Sequence, residues 1–384
     1  MVFNINTIFF NIKKYSIILL VIIMKRKILI ASYNLDFGGI ETSLINFLKN
    51  IDLNKFEVTL VLEEKNGVFL KDVPENIIIK EYKISKNKNI LIRKISNMLK
   101  KFKWIINNYK KYDSSICYAT YSMPCSFIAR ASSNNKILFV HSNYYQAYDK
   151  DIYKTKRFFD GIKISDYNHV VFVSNESRKE MNKIYSNIKD RFITINNIVD
   201  FNKIKELANK DINIKETKNK KFLFVGRLDE SSKRLSVLLE TAKKCKNEKV
   251  NASFWIVGSG PDERLYKEFI RNNKLDNVVL FGAKKNPYPY IKKCDYLIIT
   301  SKYEGFPVVY NESIVLGKPI LTTVDVSDDF ISIPDRFGYV VKDSDVFKKI
   351  KKISIEKNFI VEKVDYDKLN KKRIKMIEEV MESK

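Results

Sequence analysis

The chain has 384 residues, of which 45% are apolar, 70 are Lys or Arg and 45 are Asp or Glu, giving a formal charge of +25. That is enough length for two or three domains and enough apolar material for sizeable cores, so disordered and fibrous classes are excluded. Only 12 of the cations are arginine and 58 are lysine; with the heavy use of Ile and Asn this marks an AT-rich coding bias, and the remaining excess favours anionic partners without choosing among phosphates, nucleotides, anionic lipid and nucleic acid.

At the N-terminus, Lys13 and Lys14 precede the apolar run 16–23, which no small-residue cleavage site follows. The run falls far short of the roughly 20 residues that span a bilayer. Met24-Lys-Arg-Lys-Ile-Leu-Ile30 reads as a natural start, so residues 1–23 are expected to be an upstream extension, with a weak anchor as the alternative. Lys27–Ser32 is a strand, Gly38-Gly39 a turn, Ile40–Leu48 a helix and Phe56–Leu62 a strand, the order of a parallel βαβ unit. Lys100–Lys111, with Phe102, Trp104, Ile105 and Ile106 interleaved, reads either as a solvated face or as an amphipathic helix on an anionic membrane. Strands follow at Ile137–Val140, His169–Ser174 and Ile193–Ile195, with a helix from about Glu176. Residues 24–200 thus form a first lobe, and the polar stretch 201–221 is the best linker candidate.

The alternation then restarts. Phe222–Val225, Ala252–Val257, Val278–Phe281, Tyr296–Thr300 and Ile320–Thr323 are strands; Leu235–Cys245, Asp262–Asn272, Pro289–Cys294 and Pro307–Leu316 are helices. A second lobe spans 222–345, followed by a lysine-rich helical tail over 346–384. The fold class is therefore α/β, two doubly wound parallel-sheet domains in series. Ligands of such sheets bind at the carboxyl ends of the strands, which between two lobes means the cleft. The cysteines Cys117, Cys125, Cys245 and Cys294 form no Cys-x-x-Cys pair, and only His141 and His169 could join them. Neither a disulfide framework nor a zinc cluster is expected, and inert thiols in a reducing cytosol fit best.

The chemistry gathers at the strand ends of the second half. After Tyr296–Thr300 come Glu304, Gly305, Phe306 and Pro307, then a helix carrying Glu312. Gly305 permits close backbone approach, Pro307 suits a helix start, and the free N–H groups of that turn make an anion site. Two carboxylates eight positions apart are a weak signal alone and a stronger one between a buried strand and a Gly/Pro turn. Val225-Gly226-Arg227 and Lys233-Arg234 place cations after another strand, a planar fork and a mobile point charge suited to a diphosphate leaving group. Arg234 itself reads as a solvated helix-start charge. Gly258-Ser259-Gly260-Pro261 is a third strand-to-helix turn; it lacks the last glycine of the dinucleotide fingerprint, which disfavours an NAD-dependent dehydrogenase, and no P-loop pattern exists. His141, after a buried strand, is either a ligand contact or a satisfied core histidine; His169 reads as structural.

In this order and spacing, Arg227/Lys233, Gly258-Ser-Gly260-Pro261 and Glu304-Gly305-Phe306-Pro307-(x)4-Glu312 resemble the retaining glycosyltransferases of family 4 (group 1), which have the GT-B architecture of two Rossmann-like lobes facing a cleft. Phe37-Gly38-Gly39-Ile40-Glu41 is similar to that family's first glycine-rich loop, and Val173-Ser174-Asn175 and Asn197-Ile-Val-Asp200 match recurring positions. The resemblance runs from about Met24 to residue 345 and is strongest over 222–323; Arg227 and Lys233 stand six apart where many members have five. It implies that Arg227 and Lys233 bind the donor diphosphate, that Glu312 binds the ribose hydroxyls, and that Glu304 with Gly305, Phe306 and Pro307 holds the donor sugar. Gly38 and Gly39 would line the donor phosphates from across the cleft, Gly258, Gly260 and Pro261 would shape the donor side, and His141 would lie near the reacting sugar.

No metal or other cofactor is implied, and no Asp-x-Asp triad is present. The implied function is transfer of a sugar from a nucleotide-sugar donor to a glycan or lipid-linked acceptor in bacterial surface or capsular polysaccharide synthesis. The expected setting is the cytoplasm, free or on the inner face of the cytoplasmic membrane. The alternatives are a nucleotide-sugar epimerase of the same architecture and a nucleic-acid-binding protein; the latter fits the charge but not the carboxylate pair, and nucleic acid is not expected as a partner.

Overall fold

A computed structural model describes residues 25–214, 217–324, 336–357 and 359–383; the reading of residues 1–23 as an extension or anchor lies outside them. The first lobe is a parallel sheet of seven strands: β1 (Arg26–Ser32), β2 (Phe56–Leu62), β3 (Ile78–Glu81), β4 (Tyr112–Cys117), β5 (Ser133–Val140), β6 (His169–Phe172) and β7 (Phe192–Thr194). Their order is β3-β2-β1-β4-β5-β6-β7. The second lobe has six: β8 (Lys220–Val225), β9 (Ala252–Val257), β10 (Val278–Gly282), β11 (Tyr296–Ile299), β12 (Ile320–Thr322) and β13 (Gly338–Val340), in the order β10-β9-β8-β11-β12-β13. Ladder pairs are parallel, such as Ile28 with Val58 and Phe222 with Phe254. Parallel strands covered on both faces must be apolar throughout. Ile28 to Ala31, Leu60 to Leu62 and Phe254 to Val257 are all buried accordingly.

In both sheets the chain reverses its direction of travel once, between β1 and β4 in the first lobe and between β8 and β11 in the second. Such switch points open a crevice at the carboxyl ends of the flanking strands. Gly38 and Gly39 follow β1, and Arg227 and Glu304 follow β8 and β11. The sequence motifs therefore stand at the two switch points.

The expected linker 201–221 contains a packed helix, Phe201–Leu207, whose Ile204 is buried against residues of the second lobe. The tail 346–384 is not one appendage. Its helix Val346–Ile353 packs into the second lobe through Val346, Ile350 and Ile353. Helix Tyr366–Glu382 returns to the first lobe, where Ile377 and Met381 join the core. There Ser114 Oγ donates to the Met381 carbonyl at 2.5 Å and His169 Nε2 meets Ser383 Oγ at 2.8 Å, which gives His169 a structural partner. Among the described residues no helix is long and apolar enough to cross a membrane.

Candidate active site in the cleft between the lobes

The second-lobe side of the cleft is built from three loops stitched by backbone hydrogen bonds. Gly226 N–H donates to the Val257 carbonyl at 3.1 Å and Leu228 N–H to the Ser259 carbonyl at 2.9 Å. The loops after β8 and β9 lie so close that a Cβ on Gly258 would overlap the Gly226 carbonyl, and one on Gly260 the Leu228 backbone. Gly258 also has φ +153°, a region that L side chains rarely adopt. These two glycines are demanded by loop-on-loop packing. Pro261, next in the turn, is exposed.

The loop after β11 joins them. Lys302 N–H donates to the Ser232 carbonyl at 2.8 Å and Thr300 Oγ1 to the Lys233 carbonyl at 3.0 Å. The six-residue spacing from Arg227 to Lys233 is absorbed by a single helical turn, Glu230–Lys233, ended by Arg234 in the left-handed conformation at φ +47°. That turn brings Lys233 Nζ onto Glu304, whose carboxylate also accepts from Ser301 Oγ at 2.6 Å. Arg227 is exposed and paired with Asp229 of the same loop. Arg234 is not a solvated charge. Its guanidinium donates to the Thr300 carbonyl at 3.0 Å, to the Ser301 carbonyl at 3.1 Å and to Asp343, so it staples the end of β11 to the loop before Val346. A planar fork with five donors can do this and a lysine cannot. The sequence motif named the cation but held no sign of these partners.

Helix Val308–Val315 starts at Pro307 with no side chain capping its first turn. Glu312 sits on it with 8% of its surface exposed, and Tyr288 donates to its Oε1 at 3.3 Å. Burial pushes its carboxyl up to about 7, against which the Tyr288 hydrogen bond works. Glu304 and Glu312 thus differ in setting, one ion-paired in the loop before the helix and one buried at the second helical turn.

The first lobe closes over this surface. A Cβ on Gly305 would overlap the His141 carbonyl, and one on Gly39 would lie 3.6 Å from Val308. The glycine at 305, expected to admit a ligand, is required here by the opposite lobe's backbone. Asn197 Nδ2 donates to the Phe306 carbonyl at 3.3 Å, while its Oδ1 accepts from Ser43 Oγ at 2.7 Å and its carbonyl accepts from Arg373 at 2.7 Å. One asparagine therefore ties the Gly39–Asn50 helix, the returning C-terminal helix and the loop after β11. Lys302 pairs with Asp149 across the lobes.

The His141 ring packs against Tyr118 at 4.4 Å and Phe139 at 5.8 Å. Both its nitrogens are buried without a hydrogen-bond partner. Burial drops its pKa to about 3, with the Tyr118 backbone opposing, so the ring is neutral. Glu41, unmarked in the sequence beyond its place in the glycine loop, is a buried carboxylate on which a Cβ at Gly38 would collide. Burial raises its pKa.

Two doubly wound lobes meeting at their switch points, with the last helix returning to the first lobe, define the GT-B class of fold. Residues 205–377 match the family model described as glycosyl transferases group 1. An uncharacterised glycosyltransferase of Methanocaldococcus jannaschii is 26% identical over 204 residues, 51% of this chain and 50% of that protein, so the chain spans about half the length of that relative. The N-acetylgalactosamine-N,N'-diacetylbacillosaminyl-diphospho-undecaprenol 4-alpha-N-acetylgalactosaminyltransferase of Campylobacter jejuni is 25% identical over 308 residues, 78% of this chain and 80% of that protein. Anabaena HepE, solved with UDP and glucose, superposes with a TM-score of 0.67 at 16% identity over 92% of this chain and 99% of that one. Over residues 205–377 the chain carries a group 1 glycosyltransferase domain.

Proposed function

We propose that the protein is a retaining, metal-independent glycosyltransferase of family 4. It moves a sugar from a nucleotide-diphosphate-sugar donor to a glycan or lipid-linked acceptor during assembly of a bacterial surface polysaccharide, and it works in the cytoplasm, free or on the inner face of the cytoplasmic membrane. The observation that supports the reading is the Lys233–Glu304 pair, which joins the loops after β8 and β11 next to Gly305, itself packed against the backbone of His141, whose two ring nitrogens are buried without a partner. An unsatisfied buried polar group costs about 1–3 kcal/mol, which a substrate hydroxyl at His141 would offset. The lipid-linked acceptor of the Campylobacter relative and the UDP bound to the Anabaena protein favour the substrate classes.

Arg227 and Lys233, with the uncapped turn at Val308, would receive the diphosphate and neutralise the charge that develops as it departs. Glu312 would accept the ribose hydroxyls. Glu304 and the Gly305–Phe306–Pro307 backbone would orient the sugar, and Gly38 and Gly39 would cover the phosphates. The acceptor oxygen attacks the anomeric carbon on the face the diphosphate leaves. The anomeric C–O bond breaks, and the departing phosphate oxygen takes the acceptor's proton, so no side-chain base is needed.

The test is a thermal-shift panel of UDP-, GDP- and ADP-sugars with and without EDTA. One nucleotide class should stabilise the protein, and chelation should change neither the shift nor turnover. Stabilisation by none of the three refutes the donor assignment; loss of turnover in EDTA, restored by a divalent cation, refutes metal independence.

A further inference from the structure

The helix Ile90–Asn108 is inverted relative to an ordinary surface helix, which buries its apolar stripe. Of its residues only Trp104 and Asn108 are buried. The side facing the lobe buries one ring, Trp104, edge-on to Tyr82 at 5.4 Å, and is otherwise held by polar contacts. Asn97 Oδ1 accepts from Ser85 N–H at 2.6 Å, Lys100 Nζ donates to the Lys83 carbonyl at 2.8 Å, and Trp104 Nε1 donates to Ser132 Oγ at 3.1 Å. The apolar side chains point outward instead. Ile95, Met98, Leu99, Phe102 and Ile106 are 46%, 61%, 60%, 64% and 68% exposed. Their spacing of three, one, three and four residues places them on one face.

Charge accompanies this stripe. Between Tyr82 and Tyr112 the chain carries ten Lys or Arg residues and not one Asp or Glu. By the helical period, Lys94 and Lys101 flank one edge of the stripe and Lys103 the other. Apolar residues framed by cations are the complement of an anionic lipid surface: the rings and branched chains enter the acyl boundary and the ammonium groups stay among the headgroups. At 19 residues the helix is about 28 Å long. It enters from the carboxyl end of β3 and leaves towards the amino end of β4, so it runs antiparallel to the strands with its first turn at the cleft end of the lobe.

We propose that this helix is an interfacial anchor that lies in the surface of an anionic bilayer, with the mouth of the cleft beside the headgroups. A lipid-borne acceptor would then be met without leaving the membrane. The anchor stands apart from the sugar chemistry, because partition onto vesicles requires no donor.

Flotation of the full chain with phosphatidylcholine vesicles, with and without phosphatidylglycerol, tests it. The wild type should partition at least tenfold better onto the anionic vesicles and lose most of that preference in 0.5 M salt. The variants Leu99→Gln/Phe102→Gln/Ile106→Gln and Lys94→Gln/Lys101→Gln/Lys103→Gln should each partition about tenfold or more less well, at roughly 1 kcal/mol per basic residue near such a surface. Their thermal unfolding and their stabilisation by donor nucleotide should match the wild type. Undiminished partition of both folded variants overturns the proposal. So does a wild-type dimer, seen by light scattering, that the apolar variant dissolves, since the stripe would then be a subunit contact.

Discussion

Glu312 offers a prediction whose size follows from its surroundings. A carboxyl ordinarily titrating near 4.5 is raised to about 7 by burial in the second turn of helix Val308–Val315. Each pKa unit is worth 1.36 kcal/mol, so folding with the group ionised is about 3 kcal/mol less favourable than folding with it protonated. Because the folded value is raised, the stability of the protonated state is fully present below 4.5 and is lost as pH rises through about 7. Glu312→Gln keeps an acceptor for the Tyr288 hydroxyl and cannot ionise. The variant should therefore match the wild type near pH 4.5 and exceed it by up to about 3 kcal/mol above pH 8, roughly 5–10 °C in Tm for a lobe of this size. Differential scanning fluorimetry from pH 4.5 to 9 reads this directly. Donor binding should move oppositely: if the ionised carboxylate accepts the ribose hydroxyls, wild-type affinity tightens between pH 6 and 8, and the variant binds about tenfold or more weakly with no such slope. A Tm difference that stays flat with pH would refute the buried-carboxyl argument, and an unchanged donor Kd would remove Glu312 from the site.

Glu304→Ala is expected to cut turnover at least a hundredfold while changing donor affinity by less than threefold, measured as a kcat-against-KM split. Restored turnover on adding Lys233→Ala would show that the carboxylate acts only by parking that cation. Gly305→Ala places a methyl 2.3 Å from the His141 carbonyl oxygen, so the lobes must part by roughly 0.7 Å or more to reach even a tight 3.0 Å contact, at about 1–3 kcal/mol. Turnover should fall while the thermal shift given by donor nucleotide persists, since the donor loops are held within one lobe; loss of both together would contradict that division. Arg234→Lys should lower the Tm by several degrees through the freed Thr300 and Ser301 carbonyls, and an unchanged Tm would show the staple to be dispensable.

Both sheets were legible because most of their strands are short, mainly apolar runs ending in turn residues: Phe56–Leu62 and Ala252–Val257 coincide with the structure, and Tyr296–Thr300 overruns by one residue. The strands that escaped lack that pattern. β3 (Ile78–Glu81) is an edge strand of four residues with none buried. In β4 (Tyr112–Cys117), Ser114 and Ser115 fill buried positions because their hydroxyls reach the Met381 and Ala129 carbonyls, so no apolar run marks it. The returning C-terminal helix was readable as a helix but not as part of the first lobe, because an amphipathic stripe does not name the surface that covers it. The stretch Lys100–Lys111 admits two readings in the sequence for the same reason, and only its first part, to Asn108, belongs to the helix, which begins ten residues earlier at Ile90.

The site divides along the same line. On the donor side the demands are made by backbone: a glycine where two loops touch, a proline at a helix start, a carboxylate a fixed number of positions further on. Such demands fall at fixed spacings, and so they showed in the sequence. In the first lobe the rings that follow the strands pair across the fold instead, such as Tyr33, after β1, against Tyr121, after β4, at 6.1 Å, and Tyr144, after β5, on Phe158 of helix Ile152–Gly161 at 4.6 Å. No spacing binds residues that only the fold brings together, and many aromatic arrangements would present a similar surface. The second-lobe loops are therefore readable from sequence, whereas the first-lobe surface is set by packing. Exchanging these tyrosines should alter which acceptor is used while leaving intact the donor loops held by Gly226, Gly258 and Lys233.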